Sequence, residues 1–456
     1  MFRLGNGSGF SGDRVDAPIP VMRDLVAGGT PAALFFETLG ERTVALAHLE
    51  KRRDGELGYE PMLERLVRPI LRDAAEHAIP LLGNWGAANP PAGGRAVARV
   101  AMELGLPDLR IAVVEGDDVT GQVANGQLPV HDADAGLDMG DWRLVAANAY
   151  IGAEPLVEAL REGAQVIVAG RTSDPALAIA PLAHHFGWGV EDWDRLAIGA
   201  AAGHLLECGS QVTGGVFWDP GRKDVPDPAN LGFPIAEVTA EGELVITKPA
   251  GTGGVVDFRT IKEQLLYELH DPAEYITPDV VLDITGCTLE QAGKDRVALR
   301  GLRGHPRPET LKVTASFEGS WLGEGEVSVA GPNAAGRARA MADVLLERLR
   351  MRGLKVKARV DLIGLASVHD SDGGALWRDA ECDAPEVRVR LAVESASRDD
   401  ADQAAREVLA MLCCGPAGTG GARWRVTPRI LTRSHLILRE RVPTRVAIRT
   451  AKEMLR

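Results

Sequence analysis

The sequence predicts an α/β protein: a mostly parallel, Rossmann-like sheet with helices on both faces, followed by a ferredoxin-like α+β domain. Three observations carry that prediction. The first half alternates short apolar, β-rich runs with helical stretches, and several of the runs end in glycine- or asparagine-rich turns. The second half changes to a β-α-β-β-α order. Alternating strands and helices build βαβ units and hence parallel sheets, whereas the later order is that of a split βαβ layer.

The elements follow in order. Strands are expected at residues 1–4, 32–37, 79–82, 110–115 and 165–169. Between them, residues 61–77 carry Met62, Leu63, Leu66, Val67, Ile70 and Leu71, the stripe of an amphipathic helix. Residues 92–104 and 153–162 read the same way. In the second half, 310–317 and 326–329 are expected to form a hairpin, followed by a helix over 333–350. Strands at 355–365 and 386–393, a helix over 399–412 and a late strand near 434–438 complete the layer. The Gly/Pro/Arg-rich stretch around 300–308 suggests a division into domains 1–300 and 301–456.

Composition bounds the function. At 456 residues, 45% hydrophobic and 25% charged, the chain can bury a large core and is neither fibrous nor disordered. A net charge of −13 makes it a poor partner for nucleic acid or an anionic membrane. Aromatics at 5% argue against base-stacking platforms. No run approaches the roughly 18 apolar residues of a membrane span, and the first residues lack the pattern of a secretory signal. The five cysteines (Cys208, Cys287, Cys382, Cys413 and Cys414) are odd in number and mostly scattered, so neither a disulfide framework nor a CxxC metal site is expected. These features point to a cytoplasmic protein without a metal.

The 52 glycines gather in loops that could approach a ligand. GNGSGFSGDR at 5–14 sets Gly7, Gly9 and Gly12 directly after the first strand, followed by Asp13 and Arg14. Such a loop can bring backbone N–H groups to a phosphate, although Asp13 adds a negative charge and Pro18 and Pro20 delay the helix of a dinucleotide site. GNWGAANP at 83–90 offers Asn84 and Asn89 as fixed donors and acceptors or as local caps. GRTSDPAL at 170–177 offers Arg171 to clamp a carboxylate or phosphate and Asp174 as acid or base. There, Ser173 or Asp174 could instead cap a helix that opens on Pro175.

The densest cluster is GHLLECGSQVTGG at 203–215. On a helical turn, His204, Glu207 and Cys208 share one face. The imidazole could then draw the thiol proton while the carboxylate orients the ring. KPAGTGG at 248–254 places Lys248, Thr252, Gly253 and Gly254 where they would suit a phosphate or acyl oxygen, without Walker A spacing. EQLLYELHDPAEYITPDV at 263–280 begins as a helix that Pro272 and Pro278 break.

Together these segments resemble the acyclic terpene utilisation AtuA family. The resemblance covers residues 5–280 at least, and residues 21–38 depart from the family's aromatic and acidic pattern there. It implies a cytosolic bacterial protein acting in breakdown of branched terpenoids such as citronellol or geraniol by way of CoA thioesters. It brings no catalytic residue list.

The leading expectation is a lyase, most simply a hydratase, or a hydrolase, acting on a CoA thioester or small carboxylic acid. In it His204 is acid and base, Glu207 its orienter, Cys208 a nucleophile or second acid, and Asp174 a further acid or base. Arg171 and the two glycine loops would hold the carboxylate or the CoA phosphates, with no cofactor required beyond the CoA-thioester ligand itself. A homo-oligomer is expected, with no nucleic-acid or membrane partner. The rival is a non-catalytic acyl-CoA-binding or assembly subunit, and a third reading is an NAD-dependent oxidoreductase.

Overall fold

The structure, a computed structural model, describes residues 1–131, 134, 136, 141–368, 375–380 and 383–456; Cys382 lies outside the described residues. Met1–Gly136, Val145–Ser316 and Thr432–Arg456 form one compact unit, and Leu137–Leu144 with Phe317–Leu431 form the other. Where the composition suggests a division at 300/301, the chain leaves the first unit after Ser316 and returns to it at Thr432.

In chain order the strands are β1 (Phe2–Asn6), β2 (Ala32–Phe36), β3 (Leu81–Gly83), β4 (Arg110–Glu115), β5 (Arg143–Ala149) and β6 (Val166–Ala169). Next come β7 (Ile235–Val238), β8 (Leu244–Thr247), β9 (Tyr275–Ile276), β10 (Val281–Asp283), β11 (Thr288–Gly293) and β12 (Arg296–Arg300). The remainder are β13 (Arg303–His305), β14 (Thr310–Ala330), β15 (Lys357–Ile363), β16 (Glu386–Ser395), β17 (Thr419–Leu438) and β18 (Arg445–Thr450).

The first unit is built on a ten-stranded sheet in the order β11-β12-β8-β7-β1-β2-β3-β6-β4-β18. Its centre, β1-β2-β3-β6-β4, is parallel. One flank, β7, β8, β12 and β11, is antiparallel, and so is β18 on the other edge. Four of the nine neighbouring pairs are therefore parallel, which corrects the expected mostly parallel sheet to a mixed one. The physical reason is connection length. β7 meets β8, and β11 meets β12, through hairpins too short for the crossover helix that parallel pairing requires.

The central strands are the ones whose apolar runs are plain in the sequence, and β1, β2, β3 and β6 are buried along their whole length. The helix Pro18–Gly28 begins with proline in its first turn and stops at Gly29, whose φ of 59° suits glycine. The single helix expected over 61–77 is two short ones, Leu63–Val67 and Leu71–Glu76. Their apolar side chains still join Trp85, Phe36 and the inner strands in one buried core.

In the second unit the sheet order is β15-β16-β14-β17. The expected hairpin of 310–317 and 326–329 is one continuous strand, β14. Its glycines read as turns but serve close packing: a Cβ on Gly323 would stand 2.3 Å from Ala401 O, and one on Gly325 2.2 Å from Ala405 O. Helices Arg398–Ala405 and Glu407–Cys414 replace the expected 399–412 helix, and Ala334–Met351 matches the expected 333–350 helix closely. Together they cover an aliphatic core that includes Met341, Leu345, Val389 and Leu391.

Candidate active site

Parallel strands bring their carboxyl ends to one edge of the sheet. The loops after β1, β2 and β6 meet there with the end of the helix Trp193–Leu206, around a cleft of about 670 Å³. Its charged lining is Asp13, Glu37, Glu41, Arg171, Asp174, Glu207, Glu268 and Lys312, so six acids face two cations.

Arg171 is the buried cation, 3% exposed. Its backbone is fixed from below, where Asp117 Oδ2 accepts from Arg171 N at 3.0 Å. Gly170 is required beside it, because a Cβ there would lie 2.3 Å from Asp117 Oδ1. The guanidinium donates to Leu39 O and lies 3.2 Å from Asp174 Oδ1 and 4.0 Å from Glu37 Oε1. It also sits 4.0 Å above the Tyr150 ring, where a cation is attracted by the aromatic face.

Three carboxyls around it are held towards their protonated forms, each chiefly by burial. Glu37 is pushed up to about 8 by burial and then by the neighbouring charge of Asp174. Its Oε1 accepts from Leu39 N at 2.6 Å and from Asn84 Nδ2 at 3.0 Å. Asp174 is also raised by burial, with Arg171 pulling the other way. Glu207 is raised well above the ordinary range by burial and by Asp174 and Glu268.

Glu41 behaves oppositely. Burial alone would raise it, but the Tyr150 hydroxyl at 2.5 Å, Lys312 at 3.2 Å and the field of Arg171 together lower it to about 2. Tyr150 and Lys312 are neighbours because Tyr150 N donates to Lys312 O at 2.9 Å.

His204 is buried behind the lining, its Nδ1 3.2 Å from Glu207 Oε1. Burial lowers the imidazole towards its neutral form. Cys208 lines the cleft, and burial followed by the Glu207 charge pushes its thiol up. Nδ1 thus meets the carboxyl expected to orient the ring, and Nε2 is buried without a hydrogen-bond partner.

The other sequence-singled residues separate into those that build the cleft and those that do not reach it. Gly9 and Asp13 line it, and a Cβ on Gly9 would stand 2.6 Å from the Cys208 backbone. Asp13 Oδ2 accepts from Gly9 N at 2.8 Å and its Oδ1 from Arg14 N at 2.7 Å. A carboxylate therefore fills the place where a loop phosphate would sit. Gly7 packs on the Phe36 ring, and Gly12, at φ 88°, makes the turn. Asn84 sits behind Glu37, its Oδ1 accepting from Thr38 N at 2.8 Å. Asn89 caps the helix Pro90–Glu103 and donates to Gly55 O and Leu57 O. Arg14 reaches Leu231 O and Asp16.

The loop of Lys248, Thr252, Gly253 and Gly254 is absent from the cleft lining. Its N–H groups are spent on Pro249 O, Asn230 O, Pro226 O and Thr213 O, counting from Thr252 to Val255. Lys248 Nζ donates to Thr252 O at 2.8 Å. A loop closed on its own chain presents no row of free amides, which corrects its expected role as a phosphate cradle.

Sequence reasoning missed Glu41, Tyr150, Glu268, Tyr275 and Lys312, because no local pattern joins them. It also missed two backbone features at the mouth. Val216 and Glu268 have φ of 59° and 60°, a region residues other than glycine rarely enter, the branched Val216 least of all. Phe10, Val216 and Ile276 are exposed there, giving the acidic cleft an apolar rim. Four polar atoms in the lining, Arg171 Nε, Ser173 Oγ, Asp174 Oδ1 and Glu207 Oε2, are buried without a hydrogen-bond partner. Among the described residues no three His, Cys, Asp or Glu side chains gather as metal ligands, and no helix is long and apolar enough to cross a membrane.

Fold and cleft define a mixed α/β protein with a carboxyl-rich, polar-floored cavity at the carboxyl edge of a sheet. The family model described as acyclic terpene utilisation family protein AtuA matches residues 2–448, and the chain belongs to that family. Membership implies a role in acyclic terpene utilisation. No curated protein matches the chain in sequence. Among solved structures, the de novo designed protein Foldit4 is similar over 24% of this chain and 98% of its own, at 12% identity and a TM-score of 0.18.

Proposed function

We propose that the cleft adds water to, or removes it from, a branched acyl thioester or carboxylic acid. The observation that carries this reading is the convergence on one cavity of buried polar atoms without a hydrogen-bond partner, Arg171 Nε, Ser173 Oγ and Glu207 Oε2, beside the Asp174 carboxyl that faces the Arg171 guanidinium at 3.2 Å. Buried polar groups are nearly always paired, so a cluster of unpaired ones favours a polar guest.

Hydration needs one group to take a proton and another to give one. Burial raises Asp174, but the Arg171 guanidinium 3.2 Å away opposes that shift, so of the raised carboxyls it is the one best compensated to act as the anion. It takes a proton from water as the water oxygen bonds to the β-carbon of a conjugated acyl group. Glu207, strongly raised and paired with His204, gives its proton to the α-carbon. The water supplies the hydroxyl and Glu207 the α-hydrogen; Asp174 then loses its acquired proton to solvent and Glu207 regains one, so the net addition is one water. The reverse sequence expels water. Lys312, half exposed at the cleft, is placed to polarise the acyl oxygen, and the rim of Phe10, Val216 and Ile276 suits a branched apolar chain.

The test incubates the purified chain with a branched α,β-unsaturated CoA thioester and follows gain of water by mass spectrometry. Glu207→Gln and Asp174→Asn should each lower turnover by about 100-fold or more. Binding of the thioester by the unaltered protein without product would favour the acyl-CoA-binding subunit instead. Turnover untouched by both substitutions would remove these carboxyls from the mechanism.

A further inference from the structure

We propose that a second cavity of the first unit binds a small apolar molecule bearing one hydrogen-bond donor, an alcohol or an amine, seated on the carboxyl of Asp279. This cavity measures about 440 Å³, within the usual range for small-molecule sites. Its apolar wall comes from Val157, Ile179, Ala183, Trp188 and Leu196. These side chains belong to the helices Glu154–Arg161, Ala176–Phe186 and Trp193–Leu206 and to the turn that joins the last two.

Asp279 is the polar feature of this wall and is 4% exposed. Its Oδ1 accepts from Ala153 N at 2.8 Å. The bend before that amide closes tightly on the carboxyl: a Cβ on Gly152 would lie 2.4 Å from Oδ1. Oδ2 has no hydrogen-bond partner. Burial raises this acid only to about 6, so at neutral pH it remains mainly an acceptor. Arg439 contributes a favourable charge, and its Nη2 donates to Pro278 O and Pro308 O.

The mouth selects further. Glu154, Glu158 and Glu162 outnumber Arg161 and Arg307 there, and Arg307 is paired with Glu154 at 2.9 Å. An unpaired acceptor beneath an acidic rim disfavours carboxylates and phosphates. It favours a hydroxyl or ammonium head with a hydrocarbon body, because leaving Oδ2 buried and unpaired costs more than pairing it. The ligand class thus differs from that of the first cleft, and the inference does not depend on the reaction proposed there.

The experiment titrates the full chain with citronellol, with its primary amine analogue and with the matching hydrocarbon, reading calorimetric heat and Trp188 fluorescence. Alcohol or amine should bind at least roughly tenfold tighter than the hydrocarbon, and whichever of the two is tighter identifies the head group. Asp279→Asn keeps the acceptor for Ala153 N but turns a donor towards the ligand, so it should weaken binding of the amine at least roughly tenfold, and of the alcohol less, because a hydroxyl oxygen accepts from the amide. Val190→Trp fills the cavity from a half-exposed position and should abolish binding with the fold intact. Failure of both head groups to bind, equal binding of all three probes, or binding unaltered by both substitutions would overturn the proposal.

Discussion

Glu37→Gln separates the electrostatics of the first cleft from its shape. The glutamine oxygen can accept the same two hydrogen bonds from Leu39 N and Asn84 Nδ2, so packing is retained while the titration is removed. In the unaltered protein the carboxyl titrates near 8 when folded against an ordinary 4.5. The folded state therefore holds the proton after the unfolded chain has lost it. The stability this proton confers is fully present below 4.5 and is lost as pH rises through about 8. At about 1.4 kcal/mol per pH unit, the full window amounts to at most about 5 kcal/mol, of which about 3 kcal/mol is already lost at neutral pH. The variant should show no such loss. Urea unfolding of both proteins across this pH range, compared at constant m, should give a stability difference that grows in favour of glutamine as pH rises. A difference that is flat, or that shrinks with pH, would refute the buried-acid assignment of Glu37.

Three other outcomes are expected. Gly170→Ala sets a methyl 2.3 Å from Asp117 Oδ1 and should cost about 1–3 kcal/mol in urea unfolding; an unchanged midpoint would show that the carboxyl yields freely. Asn84→Ala strips Thr38 N of its acceptor and Glu37 of a donor, and should lower stability by about 1–3 kcal/mol in thermal or urea unfolding. Cys208, whose thiol is pushed up by burial and by Glu207, should alkylate with iodoacetamide more slowly than the exposed Cys413 and Cys414, as read by peptide mass spectrometry. Faster reaction at Cys208 would restore the thiolate reading.

The parallel centre of the sheet was legible because its strands are short, largely apolar runs, three of which, β1, β3 and β6, end in glycine or asparagine turns. That same pattern set Arg171 and Asp174 directly after a strand, and the structure has them line one cleft with Glu207 and Cys208, which follow a helix. The antiparallel flank was not legible: Ile235–Val238 is four residues interrupted by Glu237, and Leu244–Thr247, though apolar, has no helical stretch beside it to mark it as part of the sheet. Nor were Tyr150 and Lys312, whose meeting depends on pairing between distant segments. The glycines misled in a specific way. A Cβ on Gly253 would stand 2.0 Å from Asp227 O, and one on Gly9 2.6 Å from Cys208 C, so both glycines admit the chain's own backbone. A sequence cannot tell that close approach from the approach of a phosphate.

The balance of charge in the first cleft also bears on what it accepts. Six acids against two cations would repel a carboxylate if all were ionised. Glu37 and Glu207 are held towards their neutral forms, and Glu41 is compensated by Lys312 and the Tyr150 hydroxyl. The field that remains is still no more than balanced by Arg171, whose charge already faces Asp174 and Glu37. On the proposed reading, this favours an uncharged thioester carbonyl over a free acid, because the ester adds no further negative charge to a buried, low-dielectric site.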